Sequence, residues 1–273
     1  MSSTKIKILP ENISSKIAAG EVVERPYSVV KELCENSIDA GASDIFISIK
    51  NGGITLINVT DNGCGMDATD IENAFLRHST SKLTSVYDFD TIKTMGFRGE
   101  ALASIASVSR IKIKSKRPQD ETGNFLELEA GKLIAKGPAS CNDGTSIFVE
   151  SLFFNTPARY KFLKKDFTEA SYIADILERI VLSRPDISVC FVNDGKEMIH
   201  SPGNNDLKSA IYSVYGKSIT DFIIPLQHEN ENIKVFSEKI ELDSKKKIKA
   251  RKEGSEIAFG LGAFGIVGWS ISI

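Results

Sequence analysis

Glu32 and Asn36 stand four residues apart in Val29-Val30-Lys31-Glu32-Leu33-Cys34-Glu35-Asn36-Ser37-Ile38, so on a helix they stack on one face. A carboxylate and an amide displayed together can hold a water and a metal ion. Asp61-Asn62-Gly63-Cys64-Gly65-Met66 adds an acid in a loop whose glycines let backbone approach a ligand closely. In Thr94-Met95-Gly96-Phe97-Arg98-Gly99-Glu100-Ala101-Leu102, two glycines flank Phe97-Arg98 directly before a segment with helical apolar spacing. That pattern reads as a loop entering a helix N-terminus, where free N–H groups and the helix dipole favour phosphate. No Gly-x-x-x-x-Gly-Lys-Ser/Thr occurs, so the chain carries no P-loop. Each motif alone is commonly a solvated helix face, a turn or a plain junction. Together they point to a nucleotide site.

The elements that must position these residues follow from periodicity. Val29, Val30, Leu33 and Ile38 give the Glu32 helix a core side, with Pro26 suited to its first turn and Gly41 to its stop. Ile45, Ile47 and Ile49 alternate as a strand, Asn51-Gly52-Gly53 signals a hairpin, and Ile54 to Val59 return. Residues 108–114, 125–128, 132–136 and 145–149 read as further strands of one antiparallel sheet. A long helix then carries Tyr172, Ile176, Leu177 and Ile180 as its apolar stripe. Residues 187–192 and 197–200 pair as a hairpin around Asn193-Asp194-Gly195. Near the start, Ile6 and Ile8 suggest a strand and residues 13–20 a short helix ending at Gly20. Strands and helices do not alternate regularly, so the fold class is α+β: a mixed, mostly antiparallel sheet backed by helices. Residues 1–205 form the first domain. Residues 206–236 begin a second, α/β domain, with a helix over 207–214 and strands over 222–226 and 233–236. Residues 237–273 differ in character, first basic (245–252), then apolar with glycines.

Composition bounds the rest. With 273 residues and 41% apolar content the chain can bury a sizeable core. Net charge −2 and a pI of about 6.0 leave any DNA contact to a local patch. Cys34, Cys64, Cys141 and Cys190 are widely spaced and match no metal-ligand pattern, which fits reduced thiols in a cytosol. The start lacks signal-peptide character, and a cytoplasmic location is expected. The 17 residues from 257 to 273 fall at the low edge of membrane-spanning length. They read as a truncated or aberrant tail rather than an anchor, and no membrane partner is expected.

Glu32-x-x-x-Asn36, Asp61-x-Gly63-x-Gly65, Gly96 to Leu102 and Gly144-Thr145, in this order, resemble the GHKL ATPases, the class of gyrase, the heat-shock chaperone, histidine kinases and MutL. The longer runs Ile17 to Pro26, Arg77 to Lys82 and Phe153 to Arg159 resemble the MutL mismatch-repair family, over roughly residues 5 to 236. The resemblance implies a GHKL sandwich with ATP and Mg2+ as cofactors. It makes Asn36 the Mg2+ ligand, Glu32 the general base for the attacking water, and Asp61, with Gly63 and Gly65 in its motif, the reader of adenine. Gly96, Phe97, Arg98, Gly99, Glu100, Ala101 and Leu102 become a lid over the phosphates. Thr80, Ser81, Lys82 and Thr145 supply ribose, phosphate or base-edge contacts. The implied function is a slow ATP-driven switch in DNA mismatch repair, in which an ATP-dependent homodimer couples to DNA, a mismatch-recognition protein and other repair factors.

The family pattern continues into a second domain with a lysine that reaches the γ-phosphate, and no such continuation follows Phe236. Phosphoryl transfer depends mostly on positioning and charge stabilisation, so hydrolysis is expected to suffer more than binding. Two alternatives follow. One is another GHKL ATPase of gyrase type, disfavoured by Phe153 to Arg159. The other is a nucleotide-dependent dimerisation or DNA-clamp module with little turnover. No endonuclease motif is present, and that activity is not expected.

Overall fold

The computed structural model describes residues 23–76 and 100–220, with four strands beyond them at 223–229, 234–240, 256–262 and 265–271. The expected strand near Ile6, the helix over 13–20 and the run Arg77 to Lys82 lie outside the described residues. Helix α1 (Pro26–Asp39) places Pro26 in its first turn and buries Pro26, Val29, Val30, Leu33, Cys34, Ser37 and Ile38. Gly41, at φ +74, follows its end. Strand β1 (Asp44–Lys50) buries Ile45, Ile47 and Ile49 and turns the alternate residues outward. The connection is a short 3-10 turn, Asn51–Gly53, rather than a tight hairpin. Ile54 keeps a right-handed helical conformation, so strand β2 begins only at Leu56 and reaches Asp61.

Helix α2 (Ala68–Ala74) and helix α3 (Ala101–Ser107) precede strands β3 (Arg110–Lys116), β4 (Gly123–Glu129), β5 (Lys132–Ala139) and β6 (Gly144–Glu150). A short helix α4 (Pro157–Tyr160), a long α5 (Asp166–Ser183) and strands β7 (Ser188–Asn193) and β8 (Lys196–Pro202) follow. The eight strands form one sheet in the order β5-β4-β3-β6-β2-β1-β7-β8, antiparallel at each pairing from β5 to β1. This is the expected α+β arrangement.

The register across β1, β2, β6 and β3 lines up three rows of side chains on one face. The first is Ile49–Ile57–Val149–Ile111, the second Ile47–Val59–Ile147–Ile113, and the third Ile45–Asp61–Thr145–Ser115. The first two rows are entirely apolar and buried. The third turns polar after one residue.

One apolar stripe differs from expectation. On α5 the buried residues include Ala170, Ile173 and Leu177, whereas Tyr172 is 43% exposed and Ile176 half-buried. Tyr172 faces sideways, with the Arg25 guanidinium 5.7 Å from its ring centroid and the Tyr27 ring 6.2 Å away. The i, i+4 pair Ile173/Leu177 makes the core contact instead.

Contacts divide the chain into two compact units, residues 1–177 with 189–199, and residues 178–188 with 200–273. The second holds helix α6 (Leu207–Tyr215), capped by Asp206, and α7 (Lys217–Thr220). It also holds the antiparallel pairs β9 (Ile223–Glu229) with β10 (Lys234–Ile240) and β11 (Glu256–Gly262) with β12 (Gly265–Ile271). Most of the apolar stretch near the end is thus paired strand, and among the described residues no helix is long and apolar enough to cross a membrane.

Two glycines with positive φ separate conformational from steric need. Gly41 has open space around an added Cβ, whereas at Gly144 (φ +101) that atom would stand 2.1 Å from the Asp61 carbonyl oxygen. Gly41→Ala should cost about 1–2 kcal/mol, the left-handed term alone. Gly144→Ala should add about 1–3 kcal/mol of overpacking to it. Urea unfolding measures both, and equal losses would contradict the close approach.

Candidate active site

The polar third row is the floor of the site. Asp61 ends β2 half-buried, opposite Thr145 on β6. Its Oδ2 accepts from the Ser37 hydroxyl at 2.7 Å and its Oδ1 from the Gly63 N–H at 2.9 Å. Burial pushes the Asp61 carboxyl up, and the Ser37 hydroxyl and the Gly63 and Thr145 amides hold it partly back. Ser115, fully buried, lies 2.8 Å from the Thr145 hydroxyl, donates within reach of the Gly144 carbonyl and accepts the Met66 N–H at 2.9 Å. One hydroxyl thereby ties the end of the Gly-rich loop to β6.

The loop residues divide their work. Asn62 fastens the loop to the α1–β1 turn, its Oδ1 accepting from the Ser43 and Asp44 amides at 2.9 Å each. A Cβ at Gly63 would come within 2.9 Å of Ala40 Cβ, and one at Gly65 (φ +67) within 2.1 Å of the Lys116 carbonyl oxygen. Both glycines therefore have a packing reason that is independent of any ligand.

Above this floor, α1 carries Glu32 and Asn36 on its half-buried outer side, with Glu32 28% exposed at its side chain. Lys31 pairs with Glu35 at 2.8 Å and lies 3.7 Å from Glu32. An amide oxygen next to a carboxylate is a donor set that suits magnesium, which takes oxygen ligands and keeps several waters. Cys34 is unsuited to covalent chemistry: burial, then the charges of Glu35 and Asp61, push its thiol far above the ordinary range. Glu100 precedes α3 without capping it by its side chain, and Ala101 and Leu102 open that helix. Thr80, Ser81, Lys82, Gly96, Phe97, Arg98 and Gly99 lie outside the described residues.

Sequence reasoning missed Ser37, Ser115 and Glu169. Ser115 carried a weak signal, ending the alternation Ile111, Ile113 with a hydroxyl. Glu169, 0% exposed, accepts from Arg25 Nη1 at 2.7 Å and from the Lys164 N–H at 2.7 Å. Arg159 Nη1 donates to the Val23 carbonyl at 3.3 Å, and the Phe153 N–H donates to the Val108 carbonyl at 2.7 Å. The runs around Arg25 and Phe153 thus brace the start of α1 and the residue after α3. A cleft of about 570 Å3 is lined by Asp61, Asn62 and Thr145 at the polar end of the sheet and, from the alternate face, by Phe46, Thr60, Lys114, Ser146 and Phe148. No residue of α1 lines it, so it lies apart from the paired Glu32 and Asn36.

A family profile for histidine kinase-, DNA gyrase B- and HSP90-like ATPases matches residues 24–141. The chain is 47% identical over 230 residues to the DNA mismatch repair protein MutL of Agathobacter rectalis, a match covering 84% of this chain and 36% of that protein. With MutL of Clostridium botulinum the identity is 50% over 232 residues, covering 85% and 35%. Among solved structures, the Aquifex aeolicus MutL ATPase domain complexed with ADP superposes at a TM-score of 0.65 with 30% identity, covering 83% of this chain and 80% of that one. The N-terminal domain of a DNA repair protein superposes at 0.70 with 26% identity, covering 86% and 74%. Fold and site together define a GHKL-type ATPase domain. Within that class, the chain belongs to the MutL family of DNA mismatch repair proteins. It spans 35–36% of the length of the curated relatives named here.

Breaking the half-buried ion pair by Glu169→Ala should cost about 1.5–3 kcal/mol, because Arg25 and the Lys164 amide lose a charged hydrogen-bond partner. Glu129→Ala, in an ion pair with Arg110 that is nearly half exposed on both sides, should cost no more than about 1 kcal/mol. Comparable losses in thermal unfolding would remove the anchoring role. Asp61 supplies a second test. Its folded carboxyl lies above the ordinary 3.8, so the folded chain holds this proton more tightly than the unfolded one. The resulting stability is full below pH 3.8 and is lost as pH rises through the folded value. The stability of Asp61→Asn relative to the parent should therefore increase across that window. A flat difference in urea unfolding would contradict the direction.

Proposed function

We propose that this domain binds ATP with Mg2+ and hydrolyses it slowly to ADP and phosphate, as a switch in DNA mismatch repair. The observation that carries the reading is the joining of the Asp61–Thr145–Ser115 row to the helix of Glu32 and Asn36 through the Ser37 hydroxyl. In this reading Asp61 accepts a hydrogen bond from the adenine amino group, and Thr145 lies beside the base edge. Asn36 offers its amide oxygen to the metal. Bound magnesium neutralises charge on the triphosphate oxygens. Glu32 orients the attacking water and takes its proton. Gly96 to Leu102 offers backbone N–H groups to the phosphates, and Thr80, Ser81 and Lys82 add hydroxyl and cationic contacts.

The switch follows from γ-phosphate contacts that exist only before hydrolysis. ATP-bound domains pair, and the pair engages DNA, the mismatch-recognition protein and other repair factors. Residues 206–236 begin the second domain that transmits this change.

Equilibrium ATP binding and turnover, measured on the parent, Glu32→Ala and Asn36→Ala, test the assignment. Glu32→Ala should bind ATP within about threefold of the parent and lose about 10²–10⁴-fold in turnover. Asn36→Ala should abolish the Mg2+ dependence of binding. Turnover unchanged in Glu32→Ala sinks the base assignment. Tight binding with no parent turnover selects the clamp module without hydrolysis.

A further inference from the structure

We infer that Ser37 is a specificity-determining positioning residue, whose hydroxyl fixes the Asp61 carboxylate in the orientation that selects adenine and links it to the helix bearing Glu32 and Asn36. The inference rests on the reading above that Asp61 meets the adenine amino group. Ser37 is 3% exposed and sits on the sheet side of α1. Its Oγ lies 2.7 Å from Asp61 Oδ2 and 3.1 Å from the Leu33 carbonyl oxygen. One hydroxyl hydrogen serves one acceptor at a time, and the shorter contact to the carboxylate is the stronger partner.

The Asp61 carboxylate is thereby held from three elements, Oδ2 by the helix, Oδ1 by the Gly63 amide of the loop, and the group also by the Thr145 amide of β6. A carboxylate clamped at both oxygens does not swing, yet each oxygen keeps lone-pair capacity for a ligand. An amino group at the purine 6-position donates into that capacity. A 6-oxo group places its own lone pairs against it, with no donor between them. Without the Ser37 hydroxyl, Oδ2 loses that donor in a half-buried place, and the Gly63 and Thr145 amides alone hold the carboxyl, which gains room to turn. It would then accept either base. Because Ser37 directly follows Asn36, base selection and metal binding share one turn of one helix.

The test measures affinities of the full chain for ATP and inosine triphosphate by calorimetry, in the parent, Ser37→Ala, Asp61→Asn and the double variant, with a thermal melt of each. The parent should prefer ATP by at least about tenfold. Ser37→Ala should melt within a few degrees of the parent, bind ATP about tenfold more weakly and reduce the ATP preference to within about threefold. In the Asp61→Asn background, adding Ser37→Ala should leave the preference unchanged within about twofold, since the hydroxyl acts through that carboxylate. Ser37→Cys keeps the size with a weak donor and should give the same direction of change; it replaces Ser37→Ala if the latter melts too low to assay. A parental preference retained in Ser37→Ala overturns the inference, as does an equal loss in the parent and in the Asp61→Asn background. A parent that binds neither nucleotide, or both equally, removes the adenine reading itself and this inference with it. That failure shows in the parent, before any substitution.

Discussion

The register of β1, β2, β6 and β3 is the constraint on which the site depends. Side chains alternate with a period of two, so a slip of one residue in β2 would turn Asp61 to the open face and bring Asn58 and Thr60 inward. A slip of two would set Asp61 among isoleucines. Two apolar rows prevent both, since each buried Ile or Val contributes about 1.5–3 kcal/mol. Their sum far exceeds what it costs to hold one half-buried carboxylate with an upward-shifted pKa. The site is thus a local exception that its apolar neighbours keep in place.

The runs that set this family apart within the ATPase class act at a distance from the nucleotide motifs. Arg25 precedes the first turn of α1 and is held by the buried Glu169, while Phe153 and Asn155 hold the chain just beyond α3 and its last turn. Neither end of α1 has a side-chain cap. An uncapped helix leaves its end groups to other partners, and here the anchor is the ion pair with its neighbour Tyr172. Such residues fix the helix on which Glu32 and Asn36 stand.

Local patterns carried much of this into the sequence. The α1 stripe, the β1 alternation and the Asn193-Asp194-Gly195 hairpin depend on neighbours a few residues away, and all were legible. The residues that were not legible have distant partners: Ser37 meets Asp61 across 24 positions, Ser115 meets Thr145 across 30, and Arg25 meets Glu169 across 144. Periodicity is blind to such pairs, and a buried serine within an apolar stripe looks like a weak core position. The α5 stripe held at Leu177 and Ile180 and failed at its other two positions for a related reason. Tyr172 and Ile176 keep helical spacing, yet Arg25 draws Tyr172 to a side contact that only the fold creates. The turn after β1 ran one way in the sequence and another in the chain because Gly52 and Gly53 both take positive φ and Ile54 stays helical.

The geometry of α1 explains why its polar residue meets the polar row. An added Cβ at Gly53 would come within 2.9–3.2 Å of Pro26, Ile57 and Ile173, so the start of the helix lies over the first row. From Pro26 to Ser37 a helix advances about 16 Å. From Ile57 to Asp61 a strand advances about 14 Å. The helix therefore spans the three rows with little excess. Its sheet side is apolar from Pro26 to Cys34 and becomes polar only at Ser37, as the sheet does only at Asp61. Two elements change character at the same height. A hydroxyl and a carboxylate meet there in place of two methyl groups, and the polar pocket is confined to that one level of the core.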